Sequence, residues 1–148
     1  EAIRERVSEK LTLVGLAGAE GSVTDRDTGR GIGGAWVVQW YRGGGVPGAS
    51  QPEYHARFAR TDAEGRFVFE GGMAPSPRMW LLRTYGPSYS FFHADYGLLH
   101  AGVQTGSEVA LSGSLGDAEL RKADLAPYCQ GRMRGEGARR LAELACGT

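Results

Sequence analysis

Two turn motifs, each flanked by short apolar segments, constrain the fold of this chain more than any other feature. The first runs over residues 21–38 as GSVTDRDTGRGIGGAWVV, and the second over residues 60–69 as RTDAEGRFVF. Asp side chains in such turns accept hydrogen bonds from backbone N–H groups two residues further on, and glycine adopts the positive φ that tight turns need. The two motifs therefore predict β-hairpin-like turns that join short strands.

The segments around these turns have the residue patterns of strands. Residues 35–41 are rich in Val and Trp, and Phe67 and Phe69 alternate with other residues, so we expect both phenylalanines in the core. Alternation along the third strand puts Trp36, Val38 and Trp40 on one face and Val37, Gln39 and Tyr41 on the other. Strands are predicted at 11–16, 19–24, 35–41, 54–61, 66–69, 79–85, 96–103 and 108–111, with loops at 43–52 and 71–78.

The pattern changes to helical periodicity near the C-terminus. Residues 117–125 and 136–145 have apolar residues at helical spacing, and Gly147 follows as a stop signal. A length of 148 residues fits one domain. We therefore expect a charged leader at 1–10, which is either a short helix or a frayed end, a β domain at 11–115 and a helical tail at 116–148.

Charge and hydropathy argue against two classes of partner. Seventeen basic and seventeen acidic residues give a formal net charge of zero, whereas a protein that neutralises nucleic-acid phosphates needs a basic face. No apolar run approaches the roughly 20 residues of a membrane span. We expect no nucleic-acid partner and no membrane span.

The two cysteines lie in the predicted helical tail. Cys129 and Cys146 are seventeen residues apart, and a metal site would need more ligands at closer spacing. Two cysteines suffice for one disulfide, which an envelope or secreted protein would form. We predict a Cys129–Cys146 disulfide that ties the last helix back to the preceding segment, with two buried thiols as the alternative.

The residues of the two turn motifs also match one family as an ordered set. They read Gly21-x-Val23-x-Asp25, Thr28-Gly29, Ile32, Gly34-Ala35-x-Val37 and Thr61-Asp62-x-x-Gly65-x-Phe67-x-Phe69. Over residues 19–71, roughly a third of the chain, this set resembles the carboxypeptidase regulatory-like domain. The resemblance implies an all-β fold, a transthyretin-like (prealbumin-like) Greek-key β-sandwich of about seven strands with a short C-terminal helical segment.

The family resemblance also carries expectations about location and function. The tail with Cys146 is similar to that of stand-alone bacterial envelope proteins with this domain, often lipoproteins, so we expect a periplasmic or cell-envelope location, with a lipid anchor upstream of Glu1 as one alternative. Such domains accompany enzymes or receptors and usually lack catalytic residues. We therefore predict a non-catalytic protein without a cofactor that acts through contact with a protein partner, as an accessory or as an immunity or inhibitor protein.

Enzymes on related scaffolds leave no matching motif here. Intradiol dioxygenases open with a similar run that includes a tryptophan at the place of Trp40, but the chain lacks their His-x-His pair of iron ligands. The Tyr-Arg-Gly-Ser end of hydroxyisourate hydrolase and the Gly-x-Ser-x-Gly nucleophile elbow are also missing. A cryptic metalloenzyme that uses His93, Asp95 and His100 remains as an alternative, with His55 as the third histidine of the chain.

Aromatic residues are the remaining indication of a binding site. They cluster in residues 85–96, which we interpret as a loop, and beside the loop at 43–52. Aromatics among small residues often form contact surfaces, so the alternative function is a small-molecule or glycan-binding module; the other interpretation is that Phe91 and Phe92 fill one end of the sandwich. The predicted binding residues are Trp40, Tyr41, Tyr85, Tyr89, Phe91, Phe92 and Tyr96.

Overall fold

The computed structural model describes residues 13–42, 53–75, 87–101, 109–111 and 125–147. In these residues the chain is mostly β with a C-terminal helix, as the sequence predicts at this level. The predicted leader at 1–10, the predicted strand at 79–85 and most of the predicted helix at 117–125 lie outside the described residues. The elements are β1 (Leu13–Leu16), β2 (Ala19–Asp25), β3 (Trp36–Arg42), β4 (Glu53–Arg60), β5 (Arg66–Phe69), β6 (Gly72–Pro75), β7 (Ser88–His93), β8 (Gly97–Ala101), β9 (Val109–Leu111) and α1 (Glu136–Cys146), and residues 125–129 are also helical.

The strands form a four-stranded sheet, a three-stranded sheet and a separate pair. The four-stranded sheet has the order β4-β3-β7-β8, and all its neighbours are antiparallel. The three-stranded sheet has the order β5-β2-β9, with β2 and β5 antiparallel and β2 and β9 parallel. Strands β1 and β6 pair with each other. The described part thus has nine strands, against the eight segments predicted from the pattern and the seven or so strands expected of the sandwich.

Two apolar cores lie on opposite faces of the four-stranded sheet. The inner core joins it to β2 and β5, and the outer core joins it to the C-terminal tail. The buried residues of the inner core are Val23, Ile32, Ala35, Val37, Phe67, Phe69, Tyr89 and Phe91. Those of the outer core are Val38, Trp40, Phe92, Leu98, Tyr128, Ala138 and Leu141. The arrangement is sandwich-like, with α1 and the helical residues before it on the outer face.

Strand β3 explains why both faces of this sheet are covered. Apart from Gln39, its residues from Trp36 to Tyr41 are apolar on both faces, and five in succession, from Val37 to Tyr41, are buried. A strand buried on both faces needs a continuous apolar run, whereas a strand with one wet face alternates. Strand β5 has the alternating pattern, with Phe67 and Phe69 buried and Val68 exposed. The predicted position of the two phenylalanines in the core is confirmed.

The two turn motifs pack directly against each other. The Asp25 and Asp62 carboxylates each accept two backbone N–H groups of their own turn, at 2.8 to 3.2 Å. The N–H of Val23 donates to the carbonyl of Gly65 at 2.7 Å, which joins the first motif to the second. A Cβ on Gly31 would lie 1.9 Å from the Glu64 carbonyl oxygen, so the contact between the turns requires glycine there.

The expectation of two hairpins is wrong. Each turn folds back locally, but β2 and β3 belong to different sheets, and so do β4 and β5. Each turn therefore carries the chain from one sheet to the other across the inner core. Thr61 fixes this crossing because its buried hydroxyl donates to the Ile32 carbonyl at 2.6 Å and accepts the Ala35 N–H at 2.8 Å.

Two predicted loops contain strands instead. Residues 72–75 form β6, which supplies hydrogen-bond partners to β1. Residues 88–93 form β7, an inner strand between β3 and β8, although their composition with neighbouring Gly and Pro resembles a loop. Local composition was misleading because the pairing partners are distant in sequence.

The C-terminal tail agrees with its prediction. Helix α1 ends at Cys146, and Gly147 follows with a φ of 72°. Cys129 and Cys146 form the predicted disulfide, with their Cα atoms 5.7 Å apart. This bond is compatible with an extracytoplasmic location. No helix in the described ranges is long and apolar enough to cross a membrane.

Candidate functional site

Most of the predicted aromatic binding residues are packed inside the protein. The loop interpretation of residues 85–96 implied exposed side chains, but β7 is an inner strand with a core on each face. Tyr96 is half-buried in the turn after β7, and Tyr85 lies outside the described residues. The five buried ones are Trp40, Tyr41, Tyr89, Phe91 and Phe92. Of the described members of this set, Tyr96 alone is partly exposed.

Two of the buried tyrosines belong to a polar network at one end of the inner core. Gln39, which is fully buried, donates to the Tyr89 hydroxyl at 2.9 Å and accepts from Arg57 at 2.6 and 2.8 Å. The Tyr41 hydroxyl accepts the N–H of Ala17 at 2.7 Å. Burial raises the pKa of Tyr89, so its hydroxyl stays protonated. Because these polar groups satisfy one another, the network stabilises the fold and offers no binding group.

Tyr96 connects the two sheets. Its hydroxyl donates to the Asp25 carboxylate at 2.5 Å, and the His93 ring packs edge-on against its ring with centroids 5.4 Å apart. The hydrogen bond lowers the pKa of Asp25 and, together with burial, raises the pKa of Tyr96 to about 12. The charged carboxylate and the neutral phenol are thus held as a pair near the turn at 26–28.

The candidate metal ligands are not gathered into a site. The His93 ring nitrogen accepts the Asp95 N–H, and its distance to the Asp95 carboxylate is 4.0 Å. His100 pairs in register with Ser90, three positions from His93 along β7. His55 packs against Tyr41 on another part of the sheet. No group of three or more His, Cys, Asp or Glu residues could hold a metal ion among the residues that the structure describes.

The candidate functional site is a concavity in the C-terminal tail, which we call the tail groove. It has a volume of about 610 Å³ and lies between the segment at 130–135 and one face of α1. Tyr128, Ala138 and Ala142 supply apolar surface, and Met133 stands beside them with 40% of its surface exposed. Arg134 and Arg139 give the lining two positive charges, and Glu136 gives it one negative charge.

Local interactions hold the two walls of the groove in place. The disulfide joins the start of the 130–135 segment to the end of α1. The N–H of Arg132 donates to the Pro127 carbonyl at 2.9 Å, and Gly131 has a φ of 71°, which allows the tight reversal after Cys129. Leu141, fully buried in the outer core, fixes α1 to the sheet. Contacts within the chain itself therefore define the shape of the groove.

The charge around the tail groove is locally positive although the chain is neutral. Residues 130–146 contain four arginines and two glutamates. The Arg140 guanidinium lies over the Phe58 ring, 4.6 Å from its centroid, and Arg132, Arg134 and Arg139 form no ion pair in the described parts of the chain. Described acidic side chains therefore do not pair with the charge of these three arginines.

A second concavity, the sheet cavity, adjoins the tail groove and shares Tyr128 and Met133 with it. Its volume is about 570 Å³, and its other lining residues are Arg42, Ser88, Tyr89, Ser90 and His100. The Trp40 indole N–H donates to the Ser90 hydroxyl at 2.6 Å, and this hydroxyl lies 2.5 Å from Nδ1 of His100. Ser90 is fully buried and is hydrogen-bonded on both sides, so it holds the Trp40 and His100 side chains together at the wall of the cavity.

The sequence predicts the elements that form the tail groove but not the groove itself. Cys129, Cys146 and the helix were predicted, and the run RMRGEGARR between the cysteines was an available signal for a basic surface. The sheet cavity has no local signal because strand pairing brings together residues from β3, β7 and β8. No protein-family model and no curated protein sequence matches the chain.

Proposed function

We propose that this is a non-catalytic protein that binds an acidic segment of a protein partner in the tail groove. The observation that supports this function is the combination of an apolar floor, an arginine rim and a disulfide across the two walls. It is an accessory protein or an inhibitor of the immunity type, and it uses no cofactor.

The apolar floor provides the attraction for a segment with apolar side chains. Met133 is exposed beside Tyr128, and a flexible thioether adapts to partner side chains of different shape. Protein interfaces combine such an apolar centre with a polar, charged rim. Because the disulfide holds the groove in shape, a partner loses less free energy in ordering it.

The charge of the rim selects for acidic residues in the partner. Arg134 and Arg139 lack acidic partners within the described residues, so a carboxylate nearby gains a favourable interaction without displacing an existing one. A nucleic acid is the less suitable polyanion, because the net charge of the chain is zero and binding to phosphates needs a broad basic face.

We also propose a fold type and a cellular location for this protein. The fold is a Greek-key sandwich of the carboxypeptidase regulatory-like type, which is supported by the contact between the two turn motifs and by the small residues at their crossing. The location is the bacterial periplasm or cell envelope, which the disulfide supports, with a lipid anchor as one means of retention there.

Selection of peptides from a random displayed library tests the proposed function. The selected peptides should be enriched in Asp or Glu next to apolar residues, and R134E/R139E should weaken their binding about tenfold or more. R30E/R66E is the matched control, since both arginines are exposed on other parts of the surface. Peptides without acidic enrichment, or equal losses in the two double variants, would refute the tail groove as the docking surface.

The alternative function is a small-molecule or glycan site in residues 85–96. No aromatic ring is fully exposed in the described residues of that segment. Tyr89, Phe91 and Phe92 are all buried. A small molecule is better accommodated in the sheet cavity, whose lining includes Arg42, Ser88 and His100.

A further inference from the structure

Arg42, in the sheet cavity, is a half-buried cation. It ends β3 at a register irregularity between Tyr41 and Arg42, and its guanidinium lies 5.0 Å from the centroid of the Trp40 ring. Among the described side chains its guanidinium has no ion-pair or hydrogen-bond partner. A charge that is partly removed from water and unpaired is unfavourable, so an anion in the cavity would be stabilised there.

The walls beside Arg42 are held rigidly. Trp40 Nε1 can only donate, so the Ser90 hydroxyl accepts from it, and the same hydroxyl is hydrogen-bonded to Nδ1 of His100. This chain of hydrogen bonds fixes the imidazole ring, which lies 6.1 Å from the Tyr128 ring at 33°. Ser88 is two residues before Ser90 and pairs in register with Trp40, so both hydroxyls lie on the same face of β7.

The size and lining of the cavity define the class of ligand. A volume of about 570 Å³ is within the usual range for small-molecule sites. The two rings and Met133 offer contact to a small planar or apolar body, while Arg42 and Ser88 offer donors to an acceptor group. A guanidinium matches the geometry of a carboxylate, which accepts two parallel hydrogen bonds from it.

We propose that the sheet cavity binds an organic carboxylate, with Arg42 as the charged partner and the His100 and Tyr128 rings as walls. The site is distinct from the acidic-segment contact of the tail groove and does not depend on it. The same chemistry fits a free carboxylic acid and the C-terminal carboxylate of a polypeptide, so the experiment includes both sources.

Titration followed by NMR tests the carboxylate site directly. Benzoate is added to the full chain, and the side-chain signals of Arg42 and His100 are followed, with benzamide as the neutral control of the same shape. We expect saturable shifts with a dissociation constant of about 1 mM or tighter for benzoate. Benzamide should bind at least tenfold more weakly, because a charge-assisted hydrogen bond is about twice as strong as a neutral one. Equal binding of the two compounds would overturn the proposal.

Variants assign the binding to Arg42. R42Q should weaken benzoate binding about tenfold or more, R42K should retain part of it, and R66Q should leave it unchanged because Arg66 is exposed on β5. A melting curve of each variant shows that it is folded. Unchanged binding in folded R42Q would overturn the proposal, and the R42K result tests it even where R42Q fails to fold.

A pair of dipeptides distinguishes the two sources of the carboxylate. Acetyl-Ala-Phe with a free C-terminus is compared with its C-terminal amide in the same titration. Binding of benzoate identifies a free acid as a sufficient ligand, and binding of only the free-acid dipeptide identifies a polypeptide C-terminus. If neither carboxylate binds, the proposal is wrong. R134E/R139E should bind benzoate and the free-acid dipeptide with the same affinity as the wild type. A loss of carboxylate binding can therefore be told apart from a loss of binding in the tail groove.

Discussion

Removal of the disulfide is the perturbation whose size follows most directly from the structure. The bond closes a loop over a sequence separation of 17 residues, and it joins two segments that also pack separately on the sheet through Tyr128 and Leu141. In C129A/C146A both contacts remain, so we expect the tail to stay docked. The loss then comes mainly from the greater freedom of the unfolded chain.

The chain-entropy relation gives the magnitude. A loop of this length corresponds to a loss of about 3 kcal/mol in the free energy of unfolding. For a chain of about 150 residues, 1 kcal/mol changes the melting temperature by roughly 2–4 °C, so we expect a decrease of about 6–12 °C. Groove-dependent binding should weaken in the same variant, because its walls are no longer joined.

Urea denaturation of the oxidised wild type and of C129A/C146A measures the difference, with C146A and the reduced wild type as controls. All three proteins without the bond should unfold at similar urea concentrations, below that of the oxidised wild type. A loss below about 1 kcal/mol would refute the view that the bond restrains the unfolded chain, since the relation then overestimates it threefold. Two reactive thiols in denatured, unreduced wild type would contradict the bond itself.

Three further substitutions test the packing and the turns. Leu141→Ala should lower the free energy of unfolding by about 2–5 kcal/mol in urea denaturation, because Leu141 is fully buried between α1 and the sheet. Leu144→Ala, at an exposed position of the same helix, is the control, and equal losses would contradict the outer core. Gly31→Ala should lower the free energy of unfolding by more than about 2 kcal/mol, because the new Cβ would meet the Glu64 carbonyl. Gly15→Ala, which has open space around it, should lower it by less than about 0.5 kcal/mol, and equal losses would contradict the contact between the turns. Tyr96→Phe removes the hydrogen bond that is the main cause of the low pKa of Asp25. In the wild type, the charged Asp25 stabilises the fold above the pKa that this carboxyl has in the unfolded chain, and this stabilisation is lost as the pH falls through the folded pKa. The free energy of unfolding of the variant should therefore differ from that of wild type most near neutral pH and least in acid, and a difference independent of pH would contradict the charged pair. In the wild type, the raised pKa of Tyr96 further predicts that stability is lost as the pH rises toward about 12.

Local chemistry predicted the turns, the disulfide and the last helix. The Asx turns at Asp25 and Asp62 depend on side chains within four residues, and α1 depends on apolar residues at helical spacing followed by Gly147. The pairing of strands depends on residues far apart in sequence. For this reason both turns were predicted as hairpins, although each one carries the chain between sheets.

The placement of the site was beyond local reasoning, with one exception. The segment around Tyr89 and Phe91 looked like an exposed loop because nothing local shows that β3 and β8 enclose it. The exception is β3, whose Trp36–Tyr41 run is apolar on both faces and so requires cover on both. One face needed the second sheet, and the amphipathic helix of the tail was available to cover the other face. The arginines of the tail groove could have been found by that route.

A charge-swap experiment on the tail groove tests the proposed function most directly. Calorimetry measures the affinity of the best acidic peptide from the selection for wild type and for R134E/R139E, and of the same peptide with its acids replaced by lysine for both proteins. We predict that the reversed peptide binds R134E/R139E at least tenfold more tightly than it binds wild type, while the original peptide prefers wild type by a similar factor. If reversal of both partners restores no affinity, the tail groove is not where the acidic segment binds.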